Sequence, residues 1–409
     1  MKRTLAFGGL VATAGLLASG LAAPAQASGD VASDPLATTG ITAEAVGSYW
    51  FGNHMANLIG ATPYNVETKV VAKHVSKGGP AADSKPGVVP AIGDEKKTTA
   101  KSKNVNLPKT MGKVFFEGAD GKPHWCTGTS VQSAYKNLVA TAGHCVYDTE
   151  SNATTMKNWV FIPGYYQSKT PWGLYVGKQA FTHYDFDVYE DADRNYAFVT
   201  VYNGIKTPHD GIGDKTDAKG NIIPDWYSVG DYKEVSELEA TQYAKAGYYN
   251  VYVAEDKDHK KHYYTWKFED AGALGANVGG QGLAYNQKIG KPVFVFGYPS
   301  GSHPDGNYAY SGKTLKWSYG KTFAATAPSV KGDELVGVKS SFTGEGALGS
   351  SWLVNYSNGR RLGYLNGVTI GVSDTDGNNR IDTSVSPYFD GELYGVYSAA
   401  KNLWSGSIA

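Results

Sequence analysis

From residue 112 onward the sequence is a succession of short apolar runs, each long enough for one strand and no more: KVFFEG, NLVATAG, NWVFIPGYY, NYAFVTVY, YYNVYVAED, KHYYTWKFED, KPVFVFGYP, SSWLVNY and RLGYLNGVTIG. Gly, Pro, Asn and Asp separate them, and their cores are β-branched or aromatic, so this part of the chain reads as an all-β sandwich or barrel. The 51 glycines, 29 tyrosines and 9 tryptophans agree with tight turns and aromatic cross-strand pairs rather than with a helical bundle. One exception falls at the end. Leu393, Val396, Tyr397, Ala400 and Leu403 recur at helical spacing in LYGVYSAAKNLW, which predicts a C-terminal amphipathic helix docked on the β body.

Charge selects against two partner classes. Lys plus Arg number 38 and so do Asp plus Glu, so no broad field draws the 409-residue chain to nucleic acid or to anionic lipid. Residues 1–27 place Lys2 and Arg3 before an apolar run that ends in Ala25-Gln26-Ala27, the pattern of a secretory signal peptide cut after Ala27. No later run would span a bilayer. The expected location is therefore outside the cell, where the two cysteines, Cys126 and Cys145, are expected to pair. Closing a loop of that size contributes about 3 kcal/mol.

Ahead of the β region lie two segments of different texture. Residues 28–69 hold one apolar patch, SYWFGNHMANLIGATPYNVE, too small for a core of its own and read as a pro-segment. Residues 70–110 are rich in Lys, Gly, Pro and Ala and lack Phe, Tyr and Trp, so they read as a flexible linker, with the globular domain spanning 111–409. Within that domain an insertion covers about 204–270 and is read as a solvated excursion from the surface. Its run YYNVYVAEDKDHKKHYYTWKFED predicts a hairpin with Asp256 to Lys260 at the tip.

The sharpest chemical signal is TAGHC, which ends at Cys145 and follows a strand that carries Cys126. It resembles the histidine box of the trypsin/chymotrypsin serine proteases. SYWFGNHM, FIPGYY, PWGLY and VFVFGYPS, in this order, are similar to segments of the bacterial glutamyl-endopeptidase-like branch. The resemblance covers 48–67 and, with gaps, 113–404. It implies two antiparallel β-barrels of chymotrypsin type with a cleft between them, His144 as general base, and no cofactor.

The same comparison exposes losses. The acid of the triad falls on Asn195, at the head of NYAFVTV, and the nucleophile falls on Leu348 when GEGALGSSW is anchored on Trp352. An amide carries no charge to stabilise an imidazolium, and in such a triad the Asp-to-Asn change lowers turnover by about 10⁴. Leucine has no attacking atom. The main-chain N–H groups of Gly346 and Leu348 remain as an oxyanion hole. A shifted triad of His144, Asp193 and Ser350 or Ser351 is the alternative, although Asp193 would miss the imidazole from an extended strand without a bulge.

DTDGNNRID offers Asp374, Asp376, Asn378 and Asp382 as a calcium candidate, set against a plain Asn/Asp/Gly turn and no metal at all. Three functional readings follow. The first is a secreted monomeric protease homologue without turnover that holds a polypeptide ligand or a protease inhibitor in its cleft. The second is an active endopeptidase with the shifted triad. The third is an extracellular, wall-associated structural protein.

Overall fold

The computed structural model describes residues 29–65, 68–94, 105–149, 155–206, 215–216, 222–223, 232–245, 252–255 and 258–409. The expected signal peptide, residues 95–104 of the expected linker, and Asp256 and Lys257 of the hairpin tip lie outside them.

Six strands form the first barrel: β1 (Met111–Glu117), β2 (Pro123–Val131), β3 (Leu138–Thr141), β4 (Lys157–Pro163), β5 (Tyr175–His183) and β6 (Ala197–Val201). They pair antiparallel in the order β1-β2-β3-β6-β5-β4, and β4 returns to β1, which closes the sheet and removes its edges. Both faces of these strands are apolar for a simple reason. Along β1, Val114 and Phe116 point into the main core, while Phe115 joins a second cluster with Trp125, Val160, Ile162 and Val176 on the outside of the barrel.

That outer cluster is roofed by helix α1 (Gly40–Gly60), which supplies Trp50, Phe51 and Leu58. The helix opens with a reciprocal cap between Thr39 and Thr42. Trp50 is fully buried, lies 5.5 Å from the Phe115 ring and donates its indole N–H to Asn158 O at 2.6 Å. The apolar patch of 28–69 therefore does pack on something else. Just before it, Val31–Pro35 adds a strand to β5.

The second barrel is built from β7 (Pro292–Gly297), β8 (Lys316–Ala327), β9 (Gly332–Lys339), β10 (Ser351–Ser357), β11 (Leu362–Val368), β12 (Gly371–Ser373) and β13 (Thr383–Pro387). The antiparallel order runs β12-β13-β9-β8-β7-β10-β11. Only Thr369 and Ile370 separate β11 from β12, and Ile370 N–H donates to Val385 O on β13 at 2.9 Å. One bent segment thus pairs with β10 at its start and β13 at its end, closing this barrel too. Helix α2 (Gly391–Ala400) follows, capped by the Asp390 carboxylate, with Leu393, Val396, Tyr397 and Ala400 buried as the spacing requires. The all-β, two-barrel, chymotrypsin-type fold with a C-terminal helix is the one expected.

Two expectations need correction. Residues 70–94 are not a flexible linker: Lys73–His74 pairs with β8, Gly87–Val89 pairs with the strand Gly282–Tyr285, and Asp83 accepts hydrogen bonds from Asn286 and Gly391. A polar, extended segment needs no core of its own when exposed sheet edges supply partners for its backbone. The insertion is not wholly a solvated excursion either. Its hairpin Tyr252–Glu255 with Lys261–Trp266 forms as expected, but its helix Glu237–Lys245 docks on α1, where Tyr243 donates to Glu44 at 3.0 Å and Lys233 sits 3.0 Å from the same carboxylate.

Removing the Trp50 side chain empties a site that the outer cluster cannot refill. Trp50→Ala should lower the unfolding free energy by about 3–5 kcal/mol, read from the urea midpoint at constant slope.

Candidate functional site

β3 runs into a short 3-10 turn, Gly143–Cys145, that presents His144 at the junction of the barrels. The Cys126–Cys145 disulfide pins this turn to β2. His144 is only 5% exposed and its ring meets Phe186 edge-on at 5.8 Å. Asn195 closes another 3-10 turn, Ala192–Arg194, immediately before β6, and is also buried.

The pair is in contact. The Asn195 Oδ1 accepts the His144 main-chain N–H at 3.3 Å, which turns its amide nitrogen toward the ring, 2.8 Å from Nδ1 and 3.0 Å from Nε2. A donor now faces the imidazole where a carboxylate would accept. A proton arriving on the ring would meet another N–H, so the imidazolium gains nothing from this neighbour. Burial drives the His144 pKa down to about 4. It is neutral at physiological pH, yet far too weak a base to hold a proton through a transition state.

Asp193 does not substitute. It lies inside the 3-10 turn rather than in an extended strand, and its two carboxylate oxygens accept Asp333 N–H and Glu334 N–H on the second barrel, each at 2.9 Å. Both oxygens are thereby turned onto β9. Burial raises its pKa to about 6 against those two hydrogen bonds.

The loop with Leu348 is folded inward. Gly346, Ala347, Leu348, Gly349, Ser350 and Ser351 are all buried, and Leu348 is 0% exposed within the main core. Ser350 donates to Ala347 O at 2.5 Å, and a Cβ at position 297 would collide with its hydroxyl, so Gly297 is what gives it room. Ser351 Oγ is buried, with no hydrogen-bond partner among the described residues and no exposed surface. Among the described residues no hydrogen bond joins either serine to His144, so the shifted triad is not assembled. The expected oxyanion donor Gly346 N–H is already used, donating to Tyr64 O at 3.3 Å.

What holds this loop is Thr127, which belongs to no motif of the sequence. Its N–H donates to Leu348 O at 2.8 Å, its hydroxyl donates to Gly346 O and accepts Tyr298 N–H, both at 3.0 Å, and its carbonyl accepts the Thr141 hydroxyl at 2.8 Å. Gly346 and Gly349 have φ of +72° and +79°, and a Cβ on them would strike the Trp125 ring and Thr127 O respectively. Behind Trp125 stands another unforeseen residue, Lys113. Its ammonium is 3.2 Å from the Trp125 ring centroid and 4.4 Å from that of Tyr165, and burial pushes its pKa well down.

The calcium candidate forms the turn instead. Asp374 accepts the main-chain N–H groups of Gly377, Asn378 and Asn379, Asp376 accepts from Asn378, and Asp382 accepts from Thr375, Thr383 and Lys339. Those carboxylates are spent on short-range hydrogen bonds, and no cluster of three potential ligands occurs among the described residues.

Two closed antiparallel barrels, with His144 at the end of β3 in one and Leu348 in a loop of the other, define a chymotrypsin-like two-barrel fold. No family model matches the sequence, and no curated protein does. Solved structures match it at low identity. They include the protease Anisep from Arthrobacter nicotinovorans, 21% identical over 72% of this chain and 98% of that one with a TM-score of 0.47. A thermostable serine protease, AL20, from an extremophilic microorganism is 20% identical over 72% and 97%, with a TM-score of 0.44. A Glu endopeptidase is 14% identical over 75% and 98%, with a TM-score of 0.37. At these scores the likenesses add nothing to what the barrels themselves display.

Two titrations follow from the site. Replacing the amide by a carboxylate in Asn195→Asp should carry the His144 midpoint upward from about 4, toward and past the ordinary imidazole range, as followed by NMR of the ring Cε1–H. Asp193 binds its proton more tightly when folded, with a pKa of about 6 against the ordinary value of 3.8. Its contribution to stability is therefore complete below about pH 4 and is lost as pH rises through about 6. His144 acts in the opposite sense over the same window, so the comparison between variants isolates Asp193. From pH 4 to 7 wild type should lose stability relative to Asp193→Asn on the order of 2–3 kcal/mol, measured by urea unfolding.

Proposed function

We propose that this chain is a secreted serine-protease homologue that does not hydrolyse peptide bonds and acts by binding a polypeptide. The observation that carries the reading is the state of the nucleophile loop. Leu348 fills the attacking position with an apolar side chain packed into the core, and both nearby serines are enclosed. Without an oxygen or sulfur nucleophile no acyl-enzyme forms, and without a carboxylate the imidazole has no means of holding the transferred proton. The scaffold retains what binding needs, namely two rigid barrels and a junction lined by main-chain groups. Export is part of the reading and rests on the pattern of residues 1–27. No helix among the described residues is long and apolar enough to cross a membrane.

The test is fluorophosphonate labelling of the secreted wild type beside a casein hydrolysis assay. Both should stay at background, with intact mass showing loss of 1–27. Covalent labelling that maps to Ser350 or Ser351 would sink this reading and revive the endopeptidase.

A further inference from the structure

Away from the junction of the barrels, a second histidine stands between a hydroxyl and a carboxylate. Thr62, just past the end of α1, pairs in parallel with His124 at the start of β2. Its Oγ1 lies 2.9 Å from His124 Nδ1, and across the ring His124 Nε2 lies 3.0 Å from Asp120 Oδ1. The proton positions are assigned from these partners. An ionised carboxylate can only accept, so the neutral ring carries its proton on Nε2 and donates it to Asp120. The Nδ1 lone pair is then left to accept the Thr62 O–H. Slight burial opposes ionisation of Asp120, yet the Lys122 main-chain N–H, 3.0 Å from the same oxygen, and His124 hold its carboxyl below the ordinary value.

The fold holds this ring in place. The Tyr64 ring, itself buried, lies 5.6 Å from it and the Phe116 ring 6.4 Å. A Cβ at Gly118 would come within 2.9 Å of His124 Cδ2 and 3.2 Å of Asp120 Oδ1, so the glycine leaves room for the pair. Thr62 is exposed, and among the described residues its hydroxyl has no other hydrogen-bond partner. Hydroxyl, imidazole and carboxylate in series is the arrangement that activates an alcohol. The ring takes the proton as the oxygen attacks, and the acid orients the ring and stabilises the imidazolium. Asp120 therefore supplies to His124 the charge that Asn195 cannot supply to His144.

We propose that Thr62, His124 and Asp120 form a surface acyl-transfer site that takes the acyl group of small activated esters. Thr62 Oγ1 attacks the acyl carbonyl and its proton passes to His124 Nδ1. The bond from the acyl carbon to the leaving oxygen breaks, and the imidazolium returns the proton to that oxygen, which leaves O-acyl-Thr62. Water then attacks the new ester by the same route, which releases a carboxylic acid and restores the threonine. On open surface the reactivity of the donor, rather than its fit, selects the substrate, so amides are too inert and peptide bonds are spared. The γ-methyl of Thr62 crowds the oxygen, which admits a flat acyl carbon more readily than a tetrahedral phosphonate. The activity uses none of the residues on which the binding reading rests.

The test treats the full secreted chain with p-nitrophenyl acetate near neutral pH, follows p-nitrophenol release, and locates acetyl groups by peptide mass. Wild type should carry acetyl on Thr62 and release p-nitrophenol about tenfold faster or more than Thr62→Val. His124→Gln and Asp120→Asn should each slow release by about tenfold or more, with Asp120→Glu recovering part of the loss. Thr62→Ser should still be acetylated at position 62. Near-UV circular dichroism checks that each variant folds. Wild type acetylated only on lysines or at its N-terminus overturns the site without recourse to any variant. Acetylation of Thr62 at the wild-type rate in folded His124→Gln overturns it too. Acetyl on Ser350 or Ser351 with none on Thr62 overturns both this site and the binding reading, whereas acetyl on Thr62 alone supports the site and leaves that reading untouched.

Discussion

Thr127 is the residue on which the junction of the barrels depends. Four hydrogen bonds converge on its backbone and hydroxyl, and three of them reach the second barrel through Gly346, Leu348 and Tyr298. Because they are buried, each lost partner would leave an unsatisfied group at a cost of about 1–3 kcal/mol. The loop with Leu348 is thus held as an integral wall between two barrels rather than as a rim around a cleft. The glycines at 346 and 349 belong to the same device, since only residues without a Cβ let Trp125 and Thr127 approach so closely.

From that constraint the chemistry follows. A loop drawn inward by main-chain bonds turns its side chains into the core, where leucine is favoured and a hydroxyl is not. The substitution at Asn195 sits well with this arrangement. A buried carboxylate beside a neutral imidazole would need its charge balanced, whereas the amide satisfies the His144 main-chain N–H without any charge. Leu348 and Asn195 are therefore physically compatible in one structure: the first fills the core and the second satisfies a buried N–H without charge.

Much of this was legible in the sequence. Short β runs with turn residues between them, the 19-residue Cys126 to Cys145 spacing and the periodic LYGVYSAAKNLW each carry local physics, and all three appear in the fold as read. His144 and Asn195 come together through the resemblance of TAGHC and NYAFVTV to the histidine box and acid strand of the trypsin/chymotrypsin proteases, not through local physics. What stayed hidden depends on distant partners. Thr127 looks like any strand threonine until Leu348 and Tyr298 arrive, and Lys113 looks solvent-facing until Trp125 and Tyr165 box it in. Residues 70–94 carry no apolar pattern because their backbone, not their side chains, does the pairing. Asp193 was misplaced by two residues of secondary structure, a 3-10 turn in place of extended strand, and that turn sends its carboxylate to β9.

Residues 68–72 pair with β12, almost at the other end of the chain. Ala72 meets Ser373 across a separation of 301 residues, and Val31–Pro35 must await β5. Residues 68–72 therefore have no partner until β12 exists, whereas Val31–Pro35 and α1 find theirs in the first barrel. Contacts so remote in sequence are closed slowly. Until then the first barrel can close with α1 on its outer face while residues 68–72 stay unpaired. The pairing of residues 68–72 is thus completed only once the end of the second barrel is in place.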